Sequence, residues 1–246
     1  TEIFNLDICP QRNLARRIAG GWLRTATPAI ASLGLLSSGV AQSQPSAPSF
    51  TVDSIADNET LDGNCTLREA INRVNGTVSA DCPAGTSGSY LPEILFDASI
   101  SGQTITLGGT QLPEIRSDLS IVGPEAGLAT SMTIDANGQS RIMSTYGDGY
   151  NSGTPLRLQL HNLTLTNGRT TLADAGVDRP GAAIFAYDTN LTLRDCLVTG
   201  NAAHGNGGGI NVRGYFNGRS HFPVSAALTR SVVSDNQTTT TYSSPG

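Results

Sequence analysis

The sequence predicts an all-β fold of the parallel β-helix type, a solenoid of short strands preceded by a short capping helix. Three observations predict it: a single stretch has amphipathic helical spacing, the other regular runs are short and β-rich, and one segment recurs twice further along the chain. Short strands between close turns also suit a β-sandwich. Internal repetition favours the solenoid, because stacked repeats bury a common core.

The helical stretch begins at Thr66, which stands three residues before Glu69. This spacing is that of a capping box at a helix N-terminus. An apolar residue then recurs with the i, i+3, i+4, i+7 spacing of one helix face, and Asn75 followed by Gly76 predicts the end. A helix of about ten residues is not stable alone and must pack on larger structure. The predicted capping-helix residues are Thr66, Leu67, Arg68, Glu69, Ala70, Ile71 and Val74.

Strands are predicted before and after this helix. Phe50–Val52 forms the first, and Gly, Asn, Asp or Pro interrupts the later runs at short intervals. The later runs before the second copy of the repeat are Glu93–Phe96, Thr104–Leu107, Leu119–Val122, Met132–Ile134, Arg141–Met143, Leu156–Leu160 and Leu163–Thr166.

The repeated segment is 158–168, which recurs as 191–201 and 226–236. Its anchor leucines Leu160, Leu193 and Leu228 are 33 and 35 residues apart, and we expect them to stack as an internal ladder.

A second block, 181–186, recurs as 207–212, with Ile184 and Ile210 as counterparts. We expect Asn167, Asn201 and Asn236 to lie at the bends of the repeat. Asparagine tolerates left-handed backbone there, and its amide can stack between coils.

Composition excludes some classes of partner. Charged residues are 14% of the chain, the net charge is −5 and all basic residues are arginine. Nucleic acid is not predicted as a partner, because phosphate binding needs a basic patch.

Residues 1–41 have the basic start, apolar core and small-residue cleavage site of a leader and signal peptide, and 42–49 is a Pro/Ser linker. Retention as an uncleaved anchor is the alternative, although the apolar core is short for a bilayer span, and no span is predicted in the mature chain. We also expect the chain to be truncated at its C-terminus.

Cysteine placement fits an exported protein. Cys65 and Cys82 flank the predicted helix and are the expected disulfide pair, whereas Cys196 is expected to be buried as a small apolar side chain. No cluster of Cys or His has the spacing of metal ligands, so neither a metal nor a cofactor is predicted.

The run CTLREAINRVN at 65–75 resembles the CSLREA motif of exported bacterial proteins, with Thr66 in place of serine. The match covers 50–75, and some members also carry a second cysteine, here Cys82. The resemblance implies a right-handed parallel β-helix of the pectin-lyase-like kind at 92–246, with an N-terminal cap at 50–91. It also implies an extracellular or outer-surface location, with the periplasm as an alternative.

The repeats resemble those of exported β-helix adhesins. The predicted function is therefore a non-catalytic surface or secreted module for adhesion or glycan contact, with glycans or host and cell-surface proteins as partners. Tyr215 and Phe216 are the candidate contact residues.

The alternative function is a polysaccharide lyase or glycoside hydrolase whose active coils lie partly outside the sequence. Such enzymes need clustered carboxylates. Asp195, beside Arg194, is the best single acid, but it aligns with Asn162 at a bend. No catalytic residue is predicted.

Overall fold

The structure is a computed structural model that describes residues 46–124, 132–148, 154–171, 180–215 and 223–239. These residues belong to one compact unit, Gln44–Gly246. The predicted leader and signal peptide at 1–41 lie outside the described residues. In the described residues most regular structure is strand in parallel sheets and helix is scarce, which agrees with a mostly β fold.

The described helices are the α-helix α1 (Leu67–Val74) and the 3₁₀ helix η1 (Ala98–Ile100). The described strands are β1 (Pro48–Val52), β2 (Gly85–Thr86), β3 (Glu93–Phe96), β4 (Thr104–Thr106), β5 (Leu119–Val122), β6 (Met132–Asp135), β7 (Met143–Tyr146), β8 (Leu156–His161), β9 (Leu163–Thr166), β10 (Ile184–Tyr187), β11 (Thr189–Arg194), β12 (Leu197–Thr199), β13 (Ala202–Ala203), β14 (Ile210–Arg213), β15 (Ala226–Thr229), β16 (Val232–Ser234) and β17 (Gln237–Thr238).

Apart from β1 and β2, strands that are neighbours in a sheet are separated along the chain by at least one other strand. The seven-stranded sheet has the order β15-β11-β8-β5-β3-β1-β2, the five-stranded sheet β16-β12-β9-β6-β4, and the three-stranded sheet β14-β10-β7. β13 pairs with β17. Among these described pairs only β1 with β2 is antiparallel.

The register of the repeats follows the alignment predicted from sequence. Leu160 pairs with Leu193, which pairs with Leu228, and Ile184 pairs with Ile210. Leu160 and Leu193 are fully buried, whereas Leu228 is 47% exposed. The difference follows from position, because β15 has a neighbouring strand on only one side among the described residues.

The N-terminal segment shares the seven-stranded sheet rather than standing apart from it. Phe50 of β1 pairs with Ile94 of β3, across the predicted boundary at 91/92. β1 begins at Pro48, within the segment 42–49 that the sequence predicts to be a linker. Proline is tolerated as the first residue of a strand, where its missing N–H is least costly.

Helix α1 begins with the capping box expected from Thr66 and Glu69. The Thr66 hydroxyl accepts from the Glu69 N–H at 3.2 Å, and the Glu69 carboxylate accepts from the Thr66 N–H at 3.0 Å. Leu67, Ala70 and Ile71 are buried in the same apolar core as the strands. α1 packs on β1 and β3.

Two further links hold α1 to its surroundings. Cys65, directly before the helix, is disulfide-bonded to Cys82, as predicted. The Arg68 guanidinium forms a two-pronged ion pair with the Asp57 carboxylate, with both N–O distances 2.9 Å. It also donates to the carbonyl oxygens of Thr110 and Gln111, at 3.1 and 2.8 Å.

One predicted strand is displaced. The sequence predicts a strand at 141–143, but β7 begins at Met143. Arg141 is instead buried, and its guanidinium donates to the carbonyl oxygens of Gly181 at 2.9 Å and Pro180 at 3.0 Å. These bonds anchor the side chain ahead of the strand.

The three repeat asparagines do not share one role. Asn201 and Asn236 form the expected amide stack, with the Asn201 Nδ2 donating to the Asn236 Oδ1 at 2.8 Å. Asn167 lies one position earlier in its repeat and has left-handed backbone, with φ of 55°. The position equivalent to Asn201 is Gly168, whose N–H donates to the Asn201 Oδ1 at 2.7 Å.

Gly168 is required because no side chain fits there. A Cβ would lie 2.2 Å from the Ala182 carbonyl oxygen and 2.7 Å from the Asn201 Oδ1. We therefore expect Gly168→Ala to lower the free energy of unfolding by about 1–3 kcal/mol, the usual cost of overpacking. Urea unfolding followed by circular dichroism measures this.

The matched control is Gly88→Ala, because a Cβ at Gly88 would meet nothing within 4 Å. We expect that variant to stay within about 0.5 kcal/mol of the unsubstituted chain. Equal stability of the two variants would contradict the close packing described at Gly168.

Candidate functional site

The outer face of the three-stranded sheet carries a cluster of aromatic rings. In β10, Ile184 and Ala186 are buried, while Phe185 and Tyr187 between and after them are partly exposed. This alternation is the two-residue period of a strand with one face on the core. The aromatic platform is defined here as Tyr146, Phe185, Tyr187 and Tyr215.

Register explains why the tyrosines meet. Tyr146 at the end of β7 pairs with Tyr187 at the end of β10. Parallel strands lie about 4.8 Å apart, so side chains in register stack directly. The two ring centroids are 5.0 Å apart and the planes are inclined by 22°. Tyr146 is 54% exposed, which leaves ring surface open to a ligand.

Two more rings of the platform lie near Tyr187. Phe185 lies 6.3 Å from it, tilted by 39°, and Tyr215 lies 6.5 Å from it, edge-on at 86°. The edge-on arrangement of Tyr187 and Tyr215 is one that the aromatic quadrupole favours. The rings therefore support one another's orientation before any ligand arrives.

The base of the platform is held by polar contacts. The Arg141 guanidinium lies 5.2 Å from the Phe185 ring centroid, and its Nη1 donates to the Gln111 side-chain oxygen at 3.2 Å. Gln111 in turn donates to the Ser144 hydroxyl at 2.9 Å. Such a supported surface loses little side-chain freedom on binding.

Polar groups accompany the rings. Arg213 of β14 pairs with Tyr187, and its exposed side chain lies at the same end of the sheet. Burial raises the pKa of Tyr187, the neighbouring Tyr146 adds to this effect, and Arg213 opposes it. The Tyr187 hydroxyl therefore stays protonated at neutral pH and can donate a hydrogen bond.

A cleft begins two residues beyond Tyr146. It has a volume of about 590 Å³, and its lining includes Arg116, Asp118, Asp148 and Arg157. Arg157 is paired with Asp118 through N–O contacts of 2.7 and 2.9 Å. Both signs of charge are thus present, which suits a neutral ligand rich in hydrogen-bonding groups.

Of the two predicted contact residues, the structure describes one. Tyr215 belongs to the aromatic platform, whereas Phe216 lies outside the described residues. The stacked pair Tyr146 and Tyr187 was not singled out from sequence. The sequence did not align them, because the strand predicted at 141–143 ends before Tyr146, whereas β7 runs from Met143 to Tyr146.

Asp195, the best acid for an enzyme, occupies a turn. Its φ is 53°, and the equivalent Asn162 and Arg230 have φ of 51° and 49°. Both carboxylate oxygens accept from the Arg230 guanidinium at 2.6 Å. That hydrogen bonding lowers the pKa of Asp195, so the group is ionised and paired.

Cys196, beside this turn, is fully buried. Its Sγ lies 3.3 Å from the carbonyl oxygen of Leu160, to which it can donate, and burial raises the pKa of the thiol. Within the described ranges, no group of three or more His, Cys, Asp and Glu side chains is placed to hold a metal ion.

None of the helices in the described part of the chain has the length and apolar character that a bilayer crossing requires.

Comparison of the chain with protein-family models, curated proteins and solved structures finds no match.

Proposed function

We propose that the chain is an exported, non-catalytic module with a right-handed parallel β-helix fold that binds a glycan on the aromatic platform. The fold proposal is supported by strands of successive repeats that pair in parallel in each of the four described sheets. The repeat spacing of 33 and 35 residues between Leu160, Leu193 and Leu228 gives each repeat one turn around the core.

In this proposal α1 caps the N-terminal end of the β-helix. An uncovered solenoid end exposes apolar core and strand edges. Leu67, Ala70 and Ile71 contribute to the core, which places the helix against β1 and β3.

Export is supported by the signal-peptide pattern at 1–41, the resemblance to the CSLREA motif and the Cys65–Cys82 disulfide. Structural disulfides persist mainly in oxidising compartments.

The observation that carries glycan binding is the exposed Tyr146–Tyr187 stack. Aromatic rings offer an apolar surface with a polar rim, and the C–H-bearing faces of sugar rings pack on such surfaces. The Tyr187 hydroxyl and the Arg213 guanidinium are donors for sugar hydroxyls at the same edge. The cleft lined by Asp148, two residues along the chain from Tyr146, contains both signs of charge and gives room for a further sugar unit.

Replacing Tyr187 tests this proposal. We first expect the chain to bind at least one member of a glycan array. Tyr187→Ala should then weaken that binding roughly tenfold or more, as truncation of a central aromatic contact commonly does. Tyr187→Phe keeps the ring and should weaken glycan binding much less than Tyr187→Ala does. Titration calorimetry with the bound glycan measures both.

Tyr90→Ala is the matched control, because Tyr90 is 68% exposed and lies outside the platform. It should leave affinity unchanged. Absence of binding to every glycan, or equal losses for the Tyr187 and Tyr90 variants, would overturn the proposal. Cleavage of polygalacturonate or related glycans, with or without calcium, would overturn its non-catalytic part.

A further inference from the structure

The outer face of the five-stranded sheet is unlike the aromatic platform. Along β4, β6, β9 and β12 the inward residues Ile105, Ile134, Leu165 and Val198 are fully buried, so the residues on either side of each point outward. The registers arrange the outward positions in two rows across the strands. The first row is Thr104, Thr133, Thr164, Leu197 and Val232, and the second is Thr106, Asp135, Thr166, Thr199 and Ser234. These ten positions are called the hydroxyl face.

Hydroxyl groups dominate this face, and threonine dominates the hydroxyls. Threonine is branched at Cβ, so its χ1 is restricted and its hydroxyl and methyl keep fixed directions on a strand. The Thr199 and Ser234 hydroxyl oxygens, neighbours in the second row, are 3.4 Å apart. The face therefore presents an ordered array rather than a set of independent surface side chains.

The array repeats in two dimensions with fixed spacings. Neighbouring parallel strands are about 4.8 Å apart, and residues i and i+2 of one strand are about 6.6 Å apart. No residue is inserted between paired positions of these strands, so the rows run without a break from β4 to β16. A ligand that uses the whole face must share this two-dimensional repeat.

The charge and the aromatic content of the hydroxyl face narrow the class of ligand that it could bind. Asp135 is the one charged residue among the ten positions, and its Oδ1 accepts from the Asn137 N–H at 2.7 Å and the Asn167 amide at 3.0 Å. None of the ten is aromatic, so the face lacks the stacking surface that a sugar ring uses on the platform. The matching ligand is neutral, hydrogen-bonding and periodic.

We propose that the hydroxyl face binds the surface of crystalline ice. Water in hexagonal ice is neutral, donates and accepts hydrogen bonds, and repeats on its prism face with two spacings close to those of the face. Threonine hydroxyls take lattice positions, while the adjacent methyl groups hold the intervening waters in cages. This inference rests on the five-stranded sheet and is independent of glycan binding by the aromatic platform.

Ice recrystallisation and thermal hysteresis assays of the whole purified chain test the proposal. We expect the unsubstituted chain to slow recrystallisation, and its fluorescently labelled form to accumulate on a growing ice crystal. Thr133→Tyr, at the second of the five positions in the first row, should reduce both signals to those of a non-binding protein, because a large ring lifts the face from the crystal. Asp135→Thr should strengthen them by completing the second row.

The matched control is Thr192→Tyr, which places the same ring on the outward side of β11 in the seven-stranded sheet. It should retain full activity, and circular dichroism should show both tyrosine variants folded. An unsubstituted chain without ice activity would overturn the proposal. Equal loss in the Thr133 and Thr192 variants would overturn it too, because the effect would then not belong to the hydroxyl face.

Discussion

Arg68→Ala should lower the free energy of unfolding by about 3–5 kcal/mol, the usual cost of removing one partner from a buried ion pair. The side chains of Arg68 and Asp57 are only 11% and 7% exposed. The substitution leaves the Asp57 carboxylate buried without its cation, with the Gly108 N–H still donating to it at 2.7 Å. It also removes the donors to the carbonyl oxygens of Thr110 and Gln111. Urea unfolding followed by circular dichroism gives the difference.

Arg157→Ala is the matched control. Arg157 also forms a two-pronged pair with an aspartate, Asp118, but the side chains are 56% and 34% exposed. Exposed pairs contribute about 0–1 kcal/mol, because water screens them. If the Arg68 and Arg157 variants lost equal stability, burial would not be what makes the Arg68 pair important.

Removal of the disulfide should have the second large effect. The double substitution Cys65→Ala and Cys82→Ala opens a loop closed across 17 residues of sequence separation. We expect the free energy of unfolding to fall by about 3 kcal/mol, since the unfolded chain gains freedom. Thermal and urea unfolding measure this, with the single Cys196→Ala variant as the control that leaves the bond intact.

Hydrogen exchange separates a general loss of stability from a loosened cap. If α1 covers the end of the proposed β-helix, amides of β1 and β3 should lose more protection in the disulfide variant than those of β8 and β11. Uniform loss across the four strands would contradict the capping role, although the disulfide could still stabilise the protein.

Because the sequence contains repeats, part of the fold could be predicted from it. Leu160, Leu193 and Leu228 share a two-residue alternation within similar segments, so their alignment predicted the strand register directly. The capping box at Thr66 could also be predicted, because it depends only on residues close together in the sequence. Strand β7 was harder, because Arg141 belongs to no repeat and the carbonyl oxygens that hold it, those of Pro180 and Gly181, lie far along the chain.

The candidate site was less predictable for the same reason. Tyr146 and Tyr187 meet only because β7 and β10 pair in register, and their segments show no repeat strong enough to align them in advance. The three repeat asparagines show the opposite error, in which a shared residue type predicted a shared position that the structure does not have. Asn167 has the residue type of the amide stack but not its position, because the Ala182 carbonyl oxygen leaves space only for Gly168.

The burial of Cys196 bears on how the chain reaches its native disulfide. Thiol–disulfide exchange requires a thiolate that can reach another sulfur atom. Burial raises the pKa of the Cys196 thiol and also keeps other sulfur atoms away from it. Cys196 can therefore compete for Cys65 or Cys82 only before β8 and β11 have paired around it. Whether β8 and β11 pair before the cysteines oxidise therefore decides whether Cys196 can form a non-native disulfide. Early β8–β11 pairing protects the native bond from exchange.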